Sequence, residues 1–87
     1  MSNLNRNTAR TSRQLGAILR RERKAQGLSQ AMLGERIGLR QATISKLEAG
    51  ESGTRLSTLL DALSALGLQL VLEPRSAPRA PELDEIF

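Results

Sequence analysis

Between positions 40 and 46 the chain reads Arg-Gln-Ala-Thr-Ile-Ser-Lys, a run whose side chains could read the edges of base pairs. Arginine offers two donors to guanine O6 and N7, and glutamine sets one donor and one acceptor against adenine N6 and N7. Ala42, or the methyl of Thr43, can meet the methyl of thymine. Each good two-bond contact discriminates between bases by about 1–3 kcal/mol. The reading requires one rigid element, slim enough to enter a groove, that presents Arg40, Gln41, Ala42 and Thr43 at one end with Ser45 and Lys46 one turn further on. The major groove admits an α-helix in that way. Lys46 suits a phosphate contact, or it is simply a solvated cation.

The composition removes most competing chemistry. There is no His and no Cys, so the usual zinc ligands, thiol nucleophiles and imidazole bases are missing, and neither an enzyme nor a metal or other cofactor is expected. The one aromatic residue is Phe87, the last in the chain. The stacking platforms that hold single-stranded nucleic acid cannot be built, which disfavours a small RNA-binding module. Positions 1–50 carry ten Arg or Lys against three Glu, while positions 51–87 carry three Arg against six acidic residues. One half therefore suits a polyanion and the other a different task, although arginines also simply solubilise helices. No apolar run approaches the roughly 18 residues of a membrane span, and no apolar stretch follows the N-terminal arginines, so neither membrane insertion nor a secretory signal is expected. A cytoplasmic, nucleoid-associated protein is the default. Eighty-seven residues make one domain with a thin core, for which help from a partner subunit is plausible.

Four helices can position the basic run. Residues 1–10 read as a flexible basic arm with Arg6 and Arg10. Thr11 and Gln14 form a T-x-x-Q capping box that starts a helix, and Leu15, Ile18, Leu19 and Ala25 give it an apolar stripe, with Arg20, Arg21 and Lys24 as a solvated outer face. Gly27 ends it. Ser29 caps a second helix, Gln30 to Ile37, closed by Gly38 at a turn that needs positive φ. A third spans Gln41 to Ala49 and stops at Gly50. Ala31, Met32, Leu33, Ile37, Leu39, Ile44 and Leu47 are the apolar positions of this pair. Gly34, mid-helix at a cost of about 1 kcal/mol against Ala, fits a close helix crossing. Thr54 is placed to cap a fourth helix, in which Leu56, Leu59, Leu60, Leu63 and Leu66 recur at i, i+3, i+4, i+7 and i+10 before Gly67.

The next segment, Leu68-Gln69-Leu70-Val71-Leu72, reads as a strand with no second strand to pair with. Unpaired backbone groups are not buried without cost. The segment therefore pairs with its own copy in a dimer through Leu68, Leu70 and Leu72, or else packs as an irregular tail on the helices. Residues 74–87 are Pro-punctuated and acidic, a disordered tail by composition. The fold class expected is all-α: a four-helix domain spanning 11–73 with a helix-turn-helix, plus one short C-terminal β-strand shared across a dimer.

Ser29, Gln30, Leu33, Gly34, Gly38, Ile44, Ser45, Leu47, Glu48 and Gly50 together resemble the helix-turn-helix of the phage-repressor-like (XRE/Cro-C1) family, and the resemblance covers residues 11–66. It implies that the helix from Gln41 enters the major groove of double-stranded DNA, at a palindromic operator whose half-sites lie about 34 Å apart. It implies that Gln30 holds a backbone phosphate, and that Arg23 and Glu48 form a structural salt bridge between the first and third helices. The arm with Arg6, Arg10 and Arg13 would either reach a neighbouring minor groove or stay disordered.

Within that family, Gln41-Ala-Thr-Ile-Ser45 and Leu66-Gly-Leu-Gln-Leu-Val-Leu72 are similar to the HipB-like antitoxins. That resemblance implies a homodimer with a small intersubunit sheet, repression of its own operon, and binding of a HipA-type serine/threonine kinase toxin. Phe87 would dock on the toxin, where the best-known relative has Trp. The alternative is a stand-alone phage-repressor-like regulator without a toxin partner. The two differ in residues 68–87.

Overall fold

A computed structural model describes residues 8–75. They form four helices: α1 Ser12–Ala25, α2 Gln30–Ile37, α3 Gln41–Ala49 and α4 Leu56–Ala65. At the start of α1 the Thr11 hydroxyl accepts from the Gln14 backbone N–H at 3.0 Å. The returning bond of the capping box, from Gln14 Oε1, accepts the N–H of Arg10 at 2.6 Å rather than that of Thr11. Ser29 caps α2 by accepting from Met32 N–H at 3.0 Å. Two expectations change here. Arg13 lies within α1 rather than on the arm and Arg10 precedes the Thr11 cap, while Arg6 and the tail ending in Phe87 lie outside the described residues. Thr54 does not cap α4; its hydroxyl donates to the Glu51 carbonyl at 3.4 Å, and Arg55 takes the cap position without a side-chain bond.

All four helices stop in the same way. Just past each helix, the N–H that follows a glycine returns to a carbonyl five residues back: Leu28 to Arg23 at 3.1 Å, Leu39 to Gly34 at 2.8 Å, Glu51 to Lys46 at 3.1 Å and Leu68 to Leu63 at 2.8 Å. That 6→1 bond needs a left-handed residue just before it, and a glycine fills the slot each time.

The core is one cluster of Leu19, Leu28, Leu33, Ile44, Leu47, Ala62, Leu63 and Leu66, flanked by half-buried Leu15, Ile37, Leu59, Ala65 and Leu68. Burying each large side chain contributes on the order of 1.5–3 kcal/mol. α3 lies at the centre, packed on α2 and α1, with α4 closing over α2. The α4 stripe divides: Leu63 and Leu66 go inward with Ala62, whereas Leu56 and Leu60 stay exposed. Ala31 and Met32 also face outward.

Three glycines, Gly16, Gly34 and Gly50, allow the backbones to meet. A Cβ on Gly16 would lie 2.3 Å from the Glu48 carbonyl oxygen, so α1 crosses α3 there at backbone contact. At Gly34 a Cβ would lie 2.5 Å from the Leu39 carbonyl oxygen. The close neighbour is thus the backbone of the turn, not the body of the next helix.

Residues 68–72 form no strand within the single chain. Leu68 packs against the core, but Leu70, Val71 and Leu72 are 48, 60 and 87% exposed. A ladder needs a second edge, and the described residues provide none. No helix among them is long and apolar enough to cross a membrane.

Candidate nucleic-acid interface

Ile44 and Leu47 are anchored in the core, with 0% and 6% exposure, which fixes the rotation of α3. The opposite side of that helix follows from its 3.6-residue period. Arg40, Gln41, Ala42, Ser45 and Lys46 are exposed, and Thr43 is half-buried. The end of α3 that the sequence singles out therefore stands clear of the protein's own core. No side chain caps that end, so its first N–H groups, which have no partner within the helix, open in the same direction.

Behind this face lies a polar network spanning three helices. The Arg23 Nε donates to Glu48 Oε2 at 2.6 Å and its Nη2 to Glu48 Oε1 at 3.0 Å, a two-pronged ion pair. Its Nη1 donates to the Leu28 carbonyl at 2.7 Å. Both residues are buried, and no buried polar side-chain atom among the described residues lacks a partner. Burial alone would raise the pKa of Glu48. The hydrogen bonds from Arg23 and Gln30, with the charges of Arg23 and Arg20, outweigh that and hold the carboxyl below its ordinary value.

Gln30 connects the network to the open face. Its Nε2 donates to Glu48 Oε1 at 3.0 Å, and its Oε1 accepts from Gln41 Nε2 at 3.1 Å. Since a carboxylate only accepts, Gln30 must turn its amide nitrogen to Glu48 and its oxygen to Gln41. Gln41 then bonds through nitrogen and keeps its own oxygen free. Gln30 is thus half-buried behind Gln41 rather than standing apart as a separate surface residue.

Two residues matter more than the sequence suggests. Leu28 supplies both a buried side chain and the carbonyl that completes Arg23. Arg20 stands beside the network with Gln30, Ser45 and Glu48 in one cleft. The signal for Arg20 was its i, i+3 spacing from Arg23, which puts both on one side of α1.

The chain matches the helix-turn-helix family over residues 19–72. It is 32% identical to Antitoxin HipB of Escherichia coli O6:H1, over 84% of this chain and 80% of that one. It is also 44% identical over 57 residues to the uncharacterized HTH-type transcriptional regulator y4dL of Sinorhizobium fredii, a match that covers 66% of this chain but spans only 29% of that protein. Among solved structures it is similar to HipB in a HipA-HipB-O2-O3 complex, at 30% identity and a TM-score of 0.73, and in a HipB-O4 20mer complex, at 30% identity and a TM-score of 0.74. In both cases the similarity covers 79% of this chain and 97% of the other. The chain belongs to the helix-turn-helix family and, within it, to the HipB-like group.

Proposed function

We propose that this chain is a HipB-like antitoxin: a DNA-binding homodimer that represses its own operon and binds a HipA-type serine/threonine kinase toxin. The observation that carries the reading is the open face of α3, held in place by Ile44 and Leu47 and backed by the Arg23–Glu48–Gln30–Gln41 network. The likeness to HipB in complexes with HipA supports the second role.

In this reading Arg40 reads guanine, Gln41 adenine, and Ala42 and Thr43 the methyl of thymine. Gln30 and Lys46 face phosphates. The exposed Leu70 and Leu72, with Leu68, pair with the same segment of a second copy, which supplies the ladder that a single chain lacks. Phe87 is assigned to the toxin contact. The work is binding rather than catalysis, and it takes place in the cytoplasm, at the nucleoid.

Purification of the full chain from its host, followed by footprinting on the DNA upstream of its own gene, tests both roles. The expected outcome is a co-purifying kinase and a two-fold footprint with half-sites about 34 Å apart. A stand-alone regulator would give the footprint without the kinase. A single asymmetric site would contradict the dimer on DNA.

A further inference from the structure

α1, the start of α2 and the second half of α3 enclose an open cleft of about 430 Å³, lined by Arg20, Arg23, Gln30, Ser45, Glu48 and Ala49. Its floor is internally hydrogen-bonded. Glu48 accepts from Arg23 and Gln30 through its two oxygens, and the third guanidinium nitrogen of Arg23 donates to the Leu28 carbonyl. Its mouth is not. Arg20 and Ser45 are both exposed, and neither makes a hydrogen bond or ion pair among the described residues. With Glu48 neutralised by Arg23, Arg20 leaves the cleft with one net positive charge and a hydroxyl donor beside it.

The position of the cleft follows from dimensions. A helix with its side chains is about 10–12 Å across, and the major groove is about 12 Å wide. A helix lying in the groove fills it, so whatever flanks that helix meets the phosphates on the rim. α1 flanks α3 at backbone contact through Gly16, and Arg20 lies one turn further along α1, on the side where Gln30 reaches Gln41.

We propose that Arg20 and Ser45 hold a phosphate of the duplex in this cleft, which makes α1 part of the DNA interface. The inference rests on the DNA-binding reading above. A charged, planar donor with a neighbouring hydroxyl suits a phosphodiester, which carries one negative charge and accepts only. Such a contact positions the protein and carries no base preference.

The test uses the full-length protein and two probes, sonicated genomic duplex DNA and the duplex upstream of its own gene, with binding followed across a series of KCl concentrations. Each phosphate contact contributes about 0.9 to the slope of log affinity against log salt. Arg20→Ala should weaken both probes alike and flatten the slope by about 0.9, or about 1.8 if both subunits of a dimer engage. Arg20→Lys should keep the slope, and Lys24→Ala, which removes an equal charge from α1 outside the cleft, should leave it unchanged. An unchanged slope for Arg20→Ala overturns the proposal. So does an equal loss in Lys24→Ala, which would mean long-range attraction only. If the unaltered protein binds neither probe, the DNA-binding reading itself falls.

Discussion

The side-chain amide of Gln41 donates to Gln30 Oε1 across 3.1 Å, joining the leading end of α3 to the first turn of α2. Gln30 is in turn held by Glu48, and Glu48 by Arg23. The residue proposed to read a base edge is therefore pre-set by a chain of bonds ending in a buried ion pair. Pre-ordering of this kind reduces what binding must spend on freezing a long side chain.

Gln41→Ala should remove discrimination at one base pair per half-site, at a cost of about 1–3 kcal/mol on the preferred sequence. Affinity for random duplex should change little. Competition binding with single-base variants of the operator measures this, and an equal loss on random DNA would make Gln41 a backbone contact. Gln30→Ala should reproduce part of the loss, because Gln41 then loses its support.

Breaking the buried ion pair should be costly. Arg23→Ala leaves Glu48 charged and unpaired, worth about 3–5 kcal/mol of destabilisation, a large share of the 5–15 kcal/mol typical of a whole domain. Urea unfolding at neutral pH should show a marked fall in the midpoint. The double variant Arg23→Met with Glu48→Met should lose less than either single change, since two apolar side chains leave no stranded charge.

The same carboxyl sets an acid dependence. Its folded value lies below the ordinary 4.5, so between the two values the unfolded chain binds the extra proton. Stability from this group is therefore complete above the ordinary value and declines as the pH falls through the folded one. Thermal unfolding across the acid range should show the decline, and Glu48→Gln should flatten that part of the profile.

Gly16→Ala should destabilise, against the usual rule. Alanine in a helix interior normally gains about 1 kcal/mol over glycine. Here the added Cβ would stand 2.3 Å from the Glu48 carbonyl oxygen and force α1 away from α3. Overpacking of this kind costs about 1–3 kcal/mol. A raised melting temperature would show that the two backbones separate easily.

Leu70→Asp should abolish the dimer. Leu70 is 48% exposed in the single chain, so the change costs the monomer little, while a charge at a shared strand meets its own copy across the two-fold axis. Light scattering should report the monomer mass. An unchanged dimer would remove residues 68–72 from the interface.

Much of this was legible in the sequence because it is local. Helix ends are set by groups within about four positions of each other, so Thr11, Ser29, Gly27, Gly38, Gly50 and Gly67 mark them correctly. At the start of α4 the local signal fails: the Thr54 hydroxyl donates to the Glu51 carbonyl, and Arg55 takes the cap position instead. The α4 stripe was visible as a stripe, but periodicity cannot say that it is wider than the surface it covers. Leu56 and Leu60 are left outside for that reason.

The order of side chains along α3 and the helix that carries them were thus determined by sequence alone, since both depend on spacing and on hydrogen bonds between near neighbours. What only the tertiary structure decided is how close the helices come and what their meeting brings together. Gly16 meets Glu48 across 32 positions, Arg23 pairs with Glu48 across 25, and Arg20 turns from a solvated cation into one wall of a cleft. Those distances are set by close packing between elements far apart in the chain, where a single Cβ too many would change the angle at which two helices cross.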